Sequence, residues 1–218
     1  MRSTTSRQTR RLAVAALTAA VTLLAGACSN TSTMSGMPGM GANTPTTSST
    51  AGTAAPATGA HNDADVMFAQ MMIPHHRQAV EMSDMILAKS GIDHDVTALA
   101  TKIKAAQAPE ITMMSGWLAG WGEDPSPSAG GMGGMDHGGT GDGMMSQADM
   151  DKLKNASGNE AAKLFLNGMI THHKGAITMA ESELANGQNA QAKTLAQSIV
   201  TSQSAEITTM TELLADVR

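Results

Sequence analysis

Twelve residues, MMIPHHRQAVEM (71–82), gather the side chains that soft and borderline metal ions prefer. Thioethers select Cu(I), while imidazoles and carboxylates also suit Cu(II). Further along, GMITHHKGAITM (168–179) repeats the phrase in other letters. In a helix, residues three, four and seven apart share a face. Met72 therefore lies one turn before His75 and His76, and Met82 lies two turns after His75. Met169, His172, His173 and Met179 repeat the pattern. Adjacent residues of a helix point about 100° apart. One ion is thus not expected to take both members of a pair, and each histidine should face a different neighbouring helix.

A second phrase also occurs twice. QAPEITMM (107–114) returns as QSAEITTM (203–210), which puts an amide, a carboxylate and a thioether on one helical side. These are Gln107, Glu110 and Met114 in one copy and Gln203, Glu206 and Met210 in the other. A single buried Met is more often packing than ligand. Here His-His, Met and Gln-x-x-Glu recur together while most other positions differ. Met71, Met85 and Met113 are matched by Gly168, Ser182 and Thr209, and so read as packing. Shared by both copies are Met72, His75, His76, Met82, Glu110 and Met114, with Met169, His172, His173, Met179, Glu206 and Met210.

Composition sharpens the point. The chain has 19 Met among 218 residues, no Tyr and 2% aromatics. Several methionines fall where no core needs them. EDPSPSAGGMGGMDHGGTGDGMM (123–145) carries Met132, Met135, Asp136, His137, Met144 and Met145, and MSGMPGM adds Met34, Met37 and Met40. Such tracts suit loose, multi-site capture of copper. A net charge of −5, with no basic cluster beyond the N-terminus, disfavours nucleic acid.

Two duplicated helical hairpins must position these residues. With an offset of 97, Phe68, Ile73, Ala79 and Val80 match Phe165, Ile170, Ala176 and Ile177. With an offset of 96, the Gln-x-x-Glu phrases match, so a one-residue change in the turn separates the copies. Phe68, Met72, Ala79 and Ile86 share a face at helical spacing, and Val96, Leu99, Ile103, Ile111 and Met114 mark a second helix from about Asp95 to Leu118. AKSGIDHD (88–95) and LANGQNAQ (184–191) break each copy, with Gly91 suited to a helix end and Asp93 or Asp95 to the next start. Neither hairpin buries its apolar faces alone, so the fold class is all-α, a four-helix bundle. Pro74 and Pro109 either kink the first copy's helices or mark their starts. The expected boundaries are a disordered tether at 28–62, hairpins at 63–122 and 148–218, and a Gly/Met-rich linker at 123–147.

Residues 1–27 read as a signal peptide. Arginines precede the sixteen-residue apolar run LAVAALTAAVTLLAGA, too short for a comfortable membrane span. TRRLAV (9–14) hints at twin-arginine export. Cys28, the only cysteine, follows LLAGA and cannot form an internal disulfide. The stretch resembles a bacterial lipobox, with Ala25 where Leu is usual, which implies lipidation of Cys28. Cleavage after Ala27 and free secretion is the alternative. The expected location is the outer face of the cytoplasmic membrane.

MMIPHHRQAVEM followed by IKAAQAPEITMMSGWL resembles the exported bacterial family called domain of unknown function number 305. The resemblance spans both patterned stretches, about 63–122 and 158–216. It implies a ferritin-like bundle, copper binding at the twelve residues above, and a link to copper resistance. The reading is then an extracytoplasmic protein that buffers, sequesters or hands on copper, with Cu(I) favoured, to a copper pump or cuproenzyme. The alternatives are a ferritin-like oxidase and a metal-free adaptor. Di-iron bundles use Glu-x-x-His, and no histidine here has an acid three residues before it. No other catalytic motif is found, so no enzymatic activity is expected.

Overall fold

A computed structural model of the chain describes residues 59–126 and 143–217. The signal peptide, Cys28, Met34, Met37, Met40, Met132, Met135, Asp136 and His137 lie outside them. The described residues form α1 (Asp63–Leu87), α2 (His94–Trp121), α3 (Gln147–Asn155), α4 (Gly158–Asn186) and α5 (Ala190–Asp216), with no strand among them. The four long helices make the ferritin-like bundle. α1 packs on α2, α4 on α5, and the two hairpins meet along α1 and α4. None of these helices is long and apolar enough to cross a membrane.

Helix ends follow the local chemistry. Asp93 caps α2 by accepting from the Asp95 amide, and Gly122 ends it in the left-handed region, φ 79°. Pro74 and Pro109 both lie inside their helices, which rules out the reading of either as a start. α3 was not anticipated from the sequence. Ser146 caps it, and Met150 and Leu153 are its buried residues, packed against α1 and α4.

The start of α1 is tied to the α4–α5 turn. Asn62 and Asp65 form a reciprocal capping box. The Asp65 carboxylate also accepts from the Gln188 and Asn189 amides, the latter at 2.8 Å. α1 therefore begins where α4 ends, and the hairpins run antiparallel. Burial alone would raise the Asp65 carboxyl, but the Asn189 and Asn62 amides, the Glu183 carboxyl and the Gln188 amide together hold it low. Glu183 takes the opposite course. Burial first, then the hydrogen-bonding contact and charge of Asp65, push it up to about 8 against the pull of Lys193. That contact falls short of full hydrogen-bond geometry. Gly187 has no room for a Cβ, because the Glu183 carboxyl fills that space.

A pH dependence follows from this pair. The folded chain keeps Glu183 protonated up to about 8, whereas the unfolded chain releases that proton near the ordinary Glu value of about 4.3. Its contribution to stability is whole below that value and is lost as pH rises to about 8. Glu183→Gln should therefore raise Tm at pH 8 by about 3–8 °C and leave it little changed near pH 4. Thermal melts at the two pH values check this.

The core has two apolar halves. Phe68, Met72, Ile73, Met114, Trp117, Leu118, Ala176, Leu195 and Ile199 fill one. Met82, Ile86, Leu99, Ile103, Phe165, Leu166, Met169 and Met210 fill the other, which α3 also covers. On every long helix the buried side chains between the halves are polar.

Candidate metal centre

The polar layer takes its residues from all four helices. On α1, His75 and His76 fall between Ile73 of one half and Ala79 of the other. On α4, His172 and His173 fall between Met169 and Ala176. α2 contributes Gln107 between Ile103 and Met114, and α5 contributes Gln203 between Ile199 and Met210. All six side chains are buried.

The members of each His-His pair part ways as the helical geometry requires. His75 turns toward α4, where its ring meets that of His172 with centroids 3.6 Å apart and planes 35° apart. His76 turns toward α2, and its Nε2–H donates to Glu110 Oε2 at 2.7 Å. His173 does the same toward α5, donating to Glu206 Oε2 at 2.8 Å. The duplication in the sequence is thus a duplication in space, with the His75–His172 contact at its centre. Both imidazoles of these hydrogen-bonded pairs are fully buried, while Glu110 and Glu206 are 20% and 22% exposed. The carboxylates stand at the edge of the layer and the rings inside it.

This arrangement selects a tautomer. A neutral ring that donates from Nε2 carries its lone pair on Nδ1. The Nδ1 atoms of His76 and His173 have no hydrogen-bond partner. Neither ring nitrogen of His172 makes a hydrogen bond of full geometry; its polar neighbour is the His75 backbone. Burial, and then the charges of His75, His173 and His76, hold the His172 imidazole well below its ordinary value. Both amide atoms of Gln107 and Oε1 of Gln203 are likewise unpaired. A buried polar group without a partner costs about 1–3 kcal/mol. The acceptors among them, imidazole nitrogen and amide oxygen, are atoms that a cation would complete.

Imidazoles and carboxylates alone do not suffice. Among the described residues no three His, Cys, Asp or Glu side chains converge to hold a metal between them. Thioethers would have to contribute, and they are at hand. Met72 and Met169, one turn before the pairs, are fully buried, as are Met82, Met114 and Met210, and Met179 is half-buried. The structure brings the four histidines together with Glu110 and Glu206. It divides the six methionines between the two halves, Met72, Met114 and Met179 on one side, Met82, Met169 and Met210 on the other. Of the linker residues, Met144 and Met145 are described and half-buried, and Met145 packs against the core.

Gln78 and Gly168 were not among the expected site residues. Gln78 holds the Met145 backbone at both its N–H and its carbonyl. The available signal was in the alignment of the copies, where Gln78 is matched by Gly175 and Met71 by Gly168.

Comparison with known proteins agrees with this architecture. The family described as a domain of unknown function (DUF305) matches residues 65–214. A DUF305 fragment from Deinococcus radiodurans superposes with a TM-score of 0.63 at 30% identity, covering 74% of this chain and 99% of that one. A DUF305 protein from Streptomyces coelicolor, described as a candidate secreted protein, gives 0.63 at 36% identity, covering 70% and 91%. CopM in its Cu(I)-bound form gives 0.57 at 30% identity, covering 70% and 96%, and has also been solved with Cu(II) and with silver. No curated protein matches the chain. With its sequence match spanning both hairpins and its bundle shared with solved members, the chain belongs to the DUF305 family.

Proposed function

We infer that this protein binds copper outside the cytoplasm, buffering or sequestering it and handing it on, and that it is not an enzyme. The observation that carries the reading is the buried layer in which His76, His172 and His173 keep unpaired Nδ1 atoms. His75, His76, His172 and His173 supply imidazole nitrogens, and Met72 and Met169 supply the neighbouring thioethers. Glu110 and Glu206 act on their histidines, fixing the tautomer and the ring orientation. A ligand set so rich in thioether favours Cu(I). The copper- and silver-bound forms of CopM, a relative of similar fold, support copper as the cargo. Cys28 carries a lipid anchor in this reading, and a membrane pump or cuproenzyme receives the metal.

A competition titration with Cu(I) tests it, using residues 29–218 and the same chain without 29–58 and 127–142. Tight binding retained after both removals is the expected result. Binding lost with those segments would make the bundle a scaffold. No binding in either form would overturn the copper reading.

A further inference from the structure

The connection between the hairpins does more than join them. Its last residues lie on the bundle in a bed of glycine. Gly143 sits at φ 76° with no room for a side chain: a Cβ there would come within 2.5 Å of the Thr171 carbonyl and 3.0 Å of the Gly175 backbone. The segment thus crosses α4 on the face that carries Thr171 and Gly175. Two residues on, Gln78 of α1 accepts from the Met145 amide at 2.7 Å and donates to the Met145 carbonyl at 2.9 Å. That double clamp fixes where the Met145 side chain goes. It goes over Gly168, where a Cβ would meet Met145 Sδ at 2.5 Å and Cε at 3.1 Å, and Met82 Cε at 3.2 Å.

Two thioether side chains therefore end at one point, one from α1 and one from the connection. In the first copy the position of Gly168 is held by Met71, so the second copy lacks a methionine of its own there. Met145 brings a sulfur to the gap. His172 follows Gly168 by four residues and so shares its face, and its Nδ1 has no hydrogen-bond partner. Met82 is fully buried. Any apolar side chain would fill the space, but the clamp, the glycine beneath and the imidazole one turn away serve a ligand better than a filler.

We propose that Met145 and Met82 form a thioether subsite over Gly168, adjoining His172, for a soft monovalent cation, Cu(I) or Ag(I). The subsite rests on the copper reading above and adds to it a ligand supplied by the connection. Gln78 is its positioning residue.

Silver titration of the full chain labelled at the methionine ε-methyl carbons, read by NMR, tests the subsite without redox chemistry. The Met82 and Met145 methyl signals should shift together and saturate at the same equivalent of Ag(I). Met145→Leu preserves the packing and should abolish the Met82 shift, with affinity at this subsite falling at least about tenfold. Gly168→Ala keeps every thioether and suits a helix, yet its Cβ must displace the Met145 terminus, so it should lose the paired shift as well. Imidazole signals of the histidine layer should still respond in both variants. A Met82 shift that survives Met145→Leu overturns the subsite. Methyl signals that stay still while the imidazoles respond also overturn it, and leave the copper centre standing. If neither set responds to silver, both readings fall.

Discussion

His172→Leu is expected to make the metal-free protein more stable and a far poorer copper binder. The native ring is fully buried and makes no hydrogen bond of full geometry at either nitrogen. Leucine of similar volume removes a desolvation cost of about 1–3 kcal/mol and meets some resistance from the tight contact with His75. A net gain of about 1 kcal/mol corresponds to about 2–4 °C in Tm for a domain of this size. Cu(I) affinity at the bundle should fall by at least about 100-fold, since the loss of a direct ligand exceeds the range seen for outer-shell partners. Opposite signs on stability and binding are the usual outcome at functional positions; a purely structural residue would lower both or neither.

The same substitution should flatten a pH dependence. Burial, and then the charges of His75, His173 and His76, depress His172 in the folded chain. As pH falls below about 6.5 the unfolded chain takes up a proton there that the folded chain refuses. Stability is therefore full above that value and is lost as pH falls toward the depressed one. Melts between pH 7 and pH 5 should show the wild type losing more Tm than His172→Leu.

Glu110→Ala and Glu206→Ala form the second large effect. Each should weaken Cu(I) binding by about 10–100-fold without removing a direct ligand, because each carboxylate fixes the tautomer of one histidine. Each Gln variant, which can still accept from Nε2–H but carries no charge, should fall between the Ala variant and wild type. The two sites should respond alike. Their hydrogen bonds are 2.7 and 2.8 Å and their carboxylates are 20% and 22% exposed. A competition titration that finds one residue critical and the other neutral would assign the metal to a single hairpin. Equal losses would assign it to the layer as a whole.

The layer was legible because it is made of short-range spacing written twice. His-His on one helix and Gln-x-x-Glu on its partner fix which faces meet once the hairpin closes, and His76–Glu110 and His173–Glu206 are those meetings. The divergence of adjacent helical residues gave the separate directions of His75 and His76. What the copies do not share was harder to read. Met71, matched by Gly168, reads as packing, because the alignment compares helix with helix and takes no account of Met145 arriving from the connection. The Asp65–Glu183 contact joins residues far apart in sequence, and neither copy repeats it at the matched positions, where Ala162 and Ile86 stand. For the two prolines the pattern left a kink and a helix start equally open, and only the full helices exclude the start.

The way the hairpins meet also bears on the order of folding. α1 with α2, and α4 with α5, are local antiparallel pairs that close over short turns, whereas α1 against α4 requires residues far apart in the chain. Contacts of low sequence separation form early and distant ones late. The hairpins are thus expected to assemble first, each holding its own histidine–glutamate pair. Docking of α1 on α4 then drives the water from around His75 and His172. Dehydration of the imidazole layer belongs to the final ascent or beyond it, so substitutions at His75 and His172 should alter the unfolding rate and leave the refolding rate nearly unchanged.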